Sequence, residues 1–319
     1  MLRYVLNRVE SSIAVILVVS IITFSVLMII PGDPAQLILG ADATAESVED
    51  LHAAMGLDRP LHEQYLGWLN DLLHLDMGKS YVYGESVTKL IAGSLPVTLS
   101  IAVFAMILAV AAAFVFGMLS SIYKHTAIDY FSRSIMQLGT AIPSFWIGMV
   151  FIVLLGLRLK LFPISGYVPF SDGFAPYIKS ITLPSVVLAI GETGTLLRIV
   201  RSSMLDSLKQ DYMDMAKIKG LSSIRIYMKY ALRGALVAPL TLIGMQFAKL
   251  AGGTVVVETI FSLPGIGRLV LTAVEHRDIV LLQGLVMFIT TAVILITLAV
   301  DVLIMLINPR IKSFQRGEQ

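Results

Sequence analysis

Six long apolar runs with few charges divide the chain, at about 13–30, 97–123, 134–157, 180–197, 234–257 and 279–300. Each approaches or exceeds the roughly 20 apolar residues that an α-helix needs to cross a bilayer, so the pattern predicts six transmembrane helices. The first run follows Arg3 and Arg8 like a signal peptide. It is too long for an h-region, and Pro31-Gly32-Asp33-Pro34 is no small-residue cleavage site, so a retained anchor is expected.

The polar stretches between the runs differ in kind. Residues 31–96 carry ten acidic and three basic residues and predict a folded, solvent-exposed loop. Within it Leu61, Tyr65, Trp68, Leu69, Leu72 and Leu73 recur at helical spacing after Pro60. An amphipathic helix is expected there, lying on the membrane, on a partner or on the protein's own surface. Residues 158–179 contain Pro163, Gly166, Pro169, Gly173 and Pro176, which predict irregular structure.

Residues 198–233 are the most distinctive: eight Lys/Arg stand against three Asp (Asp206, Asp211, Asp214). This reads as a loop carrying a short helix. Ser203 and Asp206 are spaced to cap its start, and Met204, Leu205, Leu208, Tyr212, Met215 and Ala216 fall near one face that can be buried. The small Ala216 permits close approach of another backbone. Gly220 is placed to adopt the left-handed conformation that ends the helix, before Ser222 opens the next one.

Composition agrees with a membrane chain. Of the 319 residues 56% are hydrophobic and only 14% charged, where a soluble globule has about a quarter charged. The fold class expected is all-α and polytopic, with an amphipathic coupling helix on the cytoplasmic side and a sizeable extracytoplasmic loop. A cytoplasmic amino terminus puts fifteen Lys/Arg in inner segments and eight in outer ones, so both termini are expected inside. The organisation expected is a first helix with its tail over 1–30, a loop over 31–96, a core of five helices over 97–310 with a coupling segment at about 202–226, and a tail over 311–319. The formal net charge of +2 implies no nucleic-acid partner, and the lack of cysteine excludes disulfide and thiolate chemistry.

Three ionisable residues fall inside or at the end of apolar runs: Glu192, Lys249 and Asp301. An unpaired charge at a helix centre costs about 2.5–3.5 kcal/mol on insertion scales, so Glu192 and Lys249 should face protein or water. They either pair or line a path and meet the charged termini of a solute. Glycine and proline inside the runs, as at Gly139, Pro143, Pro184, Gly191 and Gly194, permit kinks and close crossings.

Chemistry of other kinds finds little support. Gly78-Lys79-Ser80 resembles the end of a nucleotide-binding loop, but Leu73 stands where the first glycine is needed. The five histidines lack ligand spacing. No catalytic residue, cofactor or metal is predicted, and the chain is not expected to be an enzyme.

Taken together, several segments identify a family. They include Asp58-Arg59-Pro60-Leu61 with Gln64-Tyr65 and Trp68-Leu69, Met77-Gly78-Lys79-Ser80, Leu95-Pro96-Val97-Thr98-Leu99 and Ile142-Pro143-Ser144-Phe145-Trp146. Further along come Arg201-Ser202-Ser203-Met204-Leu205, Gln210-Asp211-Tyr212, Lys219-Gly220-Leu221, Val257-Glu258-Thr259-Ile260-Phe261, Pro264-Gly265-Ile266-Gly267-Arg268 and Asn308-Pro309-Arg310. In this set the chain resembles permease subunits of bacterial peptide, nickel and glutathione ABC importers over nearly its whole length. The resemblance implies an inner-membrane permease in a heterodimeric pore. Its implied partners are a homologous second permease, two ATP-binding subunits (same or different), an extracytoplasmic substrate-binding protein and membrane lipid. The family's Glu-Ala-Ala, three residues, Gly motif reads here as Asp214-Met215-Ala216 with Gly220. Coupling to the ATPase is therefore expected from Asp211, Tyr212, Asp214, Met215, Ala216, Lys219 and Gly220, and contact with peptides or similar small solutes from Glu192 and Lys249. The alternative from a different class is an ion-coupled secondary transporter or channel using Glu192, Lys249 or Asp301.

Overall fold

A computed structural model describes residues 2–29, 39, 44–55, 58–252 and 254–307. Pro31-Gly32-Asp33-Pro34, Asn308-Pro309-Arg310 and the polar tail lie outside the described residues. Among the described residues the regular structure is helical, with an isolated antiparallel bridge between Lys79 and Ser86. The helices are α1 (Leu2–Ile29), α2 (Ala45–Met55), α3 (Leu61–Leu73), α4 (Val87–Ile122), α5 (Ala127–Ala141) and α6 (Ser144–Arg158, its last seven residues in π-helical turns). They continue with α7 (Phe174–Leu208), α8 (Asp211–Ile218), α9 (Ser223–Ala235), α10 (Val237–Gly252), α11 (Val255–Ile260), α12 (Ile266–Glu275) and α13 (Ile279–Ile307).

Among the described residues four helices (α1, α4, α7 and α13) contain stretches long and apolar enough to cross a membrane. The pairs α5–α6 and α9–α10 reach that length only as bent units, with angles of 102° and 57°, which gives four to six spans. The apolar runs at 134–157 and 234–257 are thus each divided by a bend, at Ile142 and Leu236. Pro143 has no N–H to donate and drives Ile142 into extended backbone (φ −87°, ψ 125°), so α5 stops and α6 starts in a new direction. Pro239, in the first turn of α10, crowds the carbonyl of Ala235 and removes a helical hydrogen bond, which accounts for the bend at Leu236.

Other expected boundaries also move. The 36 residues of α4 rise about 54 Å, well beyond the roughly 30 Å of a hydrocarbon core, and the helix starts at Val87, within the stretch read as a loop. The irregular stretch at 158–179 ends early, because Gly173 (φ 119°) caps α7 and Pro176 sits in its first turn, where no N–H is required. At its other end α7 runs on to Leu208, so Arg198 and Arg201 are helical and do not lie in a loop.

The chain forms two compact units. The first comprises Met1–Pro96 and Gly265–Ile294. Its core is Val87, Ile91, Ile266, Leu269, Ala273, Leu281 and Leu285. The amphipathic α3 packs on α1: Phe24, Tyr65 and Trp68 cluster with ring centroids 5.4–6.2 Å apart, and Tyr65 Oη lies 2.8 Å from Ser20 Oγ. Of the three surfaces open to this helix, the protein's own takes its aromatic face. The turn at 78–84 is pinned by the buried Asp278, whose Oδ2 accepts from Ser80 Oγ (2.6 Å) and Val82 N (3.1 Å) while Oδ1 accepts from Leu281 N at the start of α13 (3.0 Å). Burial first, and the Asp278 carboxylate second, push the Tyr81 hydroxyl up to about 12.

The second unit comprises Val97–Pro264 and Leu295–Gln319. In it α5 and α7 run antiparallel and cross closely. A Cβ on Gly139 would lie 2.6 Å from the Ile190 carbonyl oxygen, and one on Gly194 would lie 2.9 Å from that of Met136. Only hydrogen at these two positions allows the backbones so near. Three clusters form the core, of which the one around Val200, Met204, Met213, Ala216, Ile226, Ala231 and Ala235 supports the candidate site.

Candidate functional site: a projecting helix and a charged cavity

Helix α8 begins where the chain breaks after α7. Gln210 is extended (φ −76°, ψ 144°), and Asp211 and Asp214 occupy the first turn with Lys217 in the last, an order that suits the helix dipole. Met213 and Ala216 are buried against the ends of α7 and α9. Met215 and Ile218 point outward, 57% and 80% exposed, Tyr212 is 43% exposed, and Asp211, Asp214, Lys219 and Gly220 are exposed as well. Lys217 Nζ lies 2.8 Å from Asp214 Oδ1, a bond and charge that raise the lysine pKa.

The end of α8 is tightly specified. Gly220 has φ 71°, its N–H donates to the Lys217 carbonyl (2.9 Å) and the Leu221 N–H donates to that of Ala216 (3.3 Å). These are the paired bonds of a Schellman motif, with the left-handed residue at Gly220 as expected. A second brace lies at the helix start. Ser207 Oγ donates to the Ala231 carbonyl (2.8 Å), which commits its only proton, so the Tyr212 hydroxyl donates to Ser207 Oγ (2.9 Å). Gly234 makes room for this: a Cβ there would meet Tyr212 Oη at 2.6 Å and Ser207 Oγ at 2.7 Å.

Two local expectations are corrected. Ser203 and Asp206 do not cap a helix start but lie inside α7, because the helix through the preceding apolar run continues past them. The buried face of α8 consists of Met213 and Ala216, with the Tyr212 hydroxyl turned in beside them, while Met215 faces outward. The break at Lys209-Gln210 resets the helical phase, so a face projected forward from Met204 falls on the wrong residues.

Sequence reasoning missed a charged cluster between α5 and α7. The Asp129 side chain is fully buried and accepts from Ser120 Oγ (2.6 Å), His125 N (3.1 Å), Arg201 Nε (3.0 Å) and Arg201 Nη2 (3.2 Å), with Arg133 Nη2 at 3.3 Å. Its carboxylate thus has the partners that burial of a charge demands. In the sequence Asp129 is the only acid between Lys124 and Arg158, the sole hint of its role.

Glu192 and Lys249 do pair, Nζ to Oε1 at 3.4 Å, and both line a cavity of about 820 Å³. Glu192 is nearly buried, whereas the Lys249 side chain is 76% exposed. Gly139, Thr140, Ile142 and Ser144 of the α5–α6 elbow form part of the wall, with Gln246 and Thr254. Gln246 Oε1 is buried and has no hydrogen-bond partner among the described residues. Behind the wall, Glu258 is fully buried and accepts from Thr98 Oγ1 (2.7 Å) and from Thr254 Oγ1, a polar knot that hydropathy does not signal.

Several apolar helices long enough to cross a membrane, a cavity lined by Glu192 and Lys249, and a short helix with Met215 and Ile218 exposed are the build of a membrane transport subunit. Comparison with known families makes this specific. The profile of the binding-protein-dependent transport system inner membrane component matches residues 113–313, and that of the N-terminal part of such membrane components matches residues 1–102. The chain belongs to this family. It is 38% identical over 98% of its length to a Brucella abortus protein named as a permease of a peptide transport system, covering 99% of that relative. A Sinorhizobium fredii relative named as a peptide ABC transporter permease is 37% identical over 97% of this chain and 99% of its own. The glutathione transport system permease of Escherichia coli K12 is 34% identical over 98% and 99%. The protein is a permease subunit of an ABC importer, a class that works with ATP-binding and substrate-binding partners, and the ion-coupled alternative is set aside.

Proposed function

We propose that this permease forms half of a heterodimeric pore of six spans per subunit, with both termini in the cytoplasm, and that α8 receives the stroke of the ATP-binding subunits. The observation that carries this reading is the division of α8. Met213, Ala216 and the Tyr212 hydroxyl anchor it, and Met215 and Ile218 are held outward on a helix closed at both ends, so a push on the outward face moves α7 and α9 with it. Asp211, Asp214, Lys219 and Gly220 flank that face and complete the contact. Two ATP-binding subunits, the same or different, a homologous permease and an extracytoplasmic binding protein complete the assembly. No chemistry is assigned to this chain.

The cargo proposed is a peptide or a similar small solute, in keeping with relatives named for peptide and glutathione transport. Lys249, with donors left over from Glu192, suits a carboxylate in the cavity, and Glu192 suits an ammonium, so the pair fits a solute bearing both.

The chain has no cysteine, which makes site-specific cross-linking clean. Met215→Cys and Ile218→Cys are expected to cross-link to an ATP-binding subunit in the assembled complex, and Ile218→Asp to abolish uptake into proteoliposomes. Absence of cross-links at both positions, with uptake undisturbed by Ile218→Asp, would remove α8 as the coupling element. Survival of uptake with a hydrolysis-dead ATPase would contradict ATP drive altogether.

A further inference from the structure

The buried carboxylate of Asp129 lies apart from α8 and from the cavity, yet it joins the elements that carry both. Asp129 is in the first turn of α5 and Arg201 is near the end of α7, nine residues before Gln210 and the start of α8. The guanidinium forks across both carboxylate oxygens, through Nε to Oδ1 at 3.0 Å and Nη2 to Oδ2 at 3.2 Å, and Nε also bonds Ser120 Oγ of α4 at 2.8 Å. Further along the same antiparallel seam Gly139 meets Ile190 and Gly194 meets Met136, backbone against backbone. The helices α5 and α7 are therefore fastened at two levels, by a bidentate ion pair towards the α8 end of α7 and by a glycine crossing beside the cavity.

The second level coincides with the cavity wall. Gly139, Thr140, Ile142 and Ser144 belong to the α5–α6 elbow, and α5 reaches the α8 end of α7 through Asp129. If α7 moved alone, the elbow would stay behind. With the seam intact, any displacement of α7 carries the elbow and reshapes the wall facing Glu192 and Lys249.

We infer that Asp129 and Arg201 are positioning residues that make α5 and α7 one lever, transmitting the push on α8 to the cavity wall at residues 139–144. This rests on the proposed role of α8. A bidentate pair is suited to the task because its planar fork resists both sliding and rotation of one helix on the other. Replacing the interaction by apolar packing would hold the helices together without fixing their register.

The test uses the complete transporter in proteoliposomes and measures solute moved per ATP hydrolysed. Asp129→Asn and Arg201→Gln are expected to lower that ratio about tenfold, within the range of typical coupling between sites, while hydrolysis continues. Arg133→Gln removes a half-exposed cation from the same carboxylate, but within α5, so it should leave the ratio unchanged. Spin labels at Ile128→Cys on α5 and Ser202→Cys on α7 should keep a constant distance between the nucleotide-free and vanadate-trapped states, and lose that constancy in Asp129→Asn. An unchanged ratio in both variants overturns the proposal. So does joint loss of uptake, hydrolysis and yield, which would make the pair a folding element only. If Ile218→Asp also leaves uptake intact, the role of α8 itself has failed. If Ile218→Asp abolishes uptake and Asp129→Asn does not, only the lever has failed.

Discussion

Three glycines on the α5–α7 seam offer a quantitative check of the packing, because the same substitution meets a different surrounding at each. An alanine Cβ would lie 2.6 Å from the Ile190 carbonyl oxygen at position 139, 2.9 Å from the Met136 carbonyl oxygen at position 194, and 3.8 Å from its nearest neighbour at position 191. The first two neighbours are backbone atoms of a facing helix and cannot rotate away, whereas the third distance is ordinary contact. All three substitutions gain up to about 1 kcal/mol of helix propensity. That gain cancels when Gly139→Ala or Gly194→Ala is compared with Gly191→Ala, which leaves the cost of forcing the helices apart, about 1–3 kcal/mol as for overpacking elsewhere. Position 139, with the shorter distance, should cost more than 194. The assay is unfolding of the purified chain in detergent micelles by titration with a denaturing surfactant, followed by tryptophan fluorescence. Gly191→Ala should equal or exceed the parent in stability, and the other two should fall below it. Equal stability of all three variants would refute the close crossing.

Two further outcomes can be measured directly. No atom lies within 4 Å of a Cβ on Gly220, so the demand there is the positive φ alone. Gly220→Asn should retain most uptake, Gly220→Ala should cost about 1–2 kcal/mol in local order, and the β-branched Gly220→Val should be worst. Tyr81, pushed up to about 12 from about 10, favours the folded state while its hydroxyl is neutral. That contribution is complete below pH 10 and fades as pH rises towards 12, so absorbance at 295 nm should show a tyrosine that ionises late, and Asp278→Asn should bring its titration down.

The elements that needed only local information were legible in the sequence. Hydropathy located the apolar runs because the bilayer imposes a length on every crossing, and Gly220 was readable because a left-handed helix end favours a residue without Cβ. Pro143 was visible as a kink site, whereas Pro239 was passed over. The angles of 102° and 57° were not visible, since these depend on what each half-helix packs against after the break. The outward face of α8 was misread for a related reason: whether a helix starts at Ser203 or at Asp211 decides which residues turn inward, and the core around Met204 and Val200 makes that choice.

By itself the sequence determined that this is a helical membrane chain, where its apolar runs lie, and that a basic segment with a glycine-terminated helix follows the fourth of them. Those properties follow from transfer free energy and backbone sterics, which act on each segment alone. Only the tertiary structure decided that Asp129 belongs to Arg201, that Glu192 meets Lys249 in the lining of a cavity, and that Met213, not Met215, anchors α8. Partners separated by 57 and 72 residues are chosen by how helices cross, and a crossing depends on the packed surfaces of both helices together.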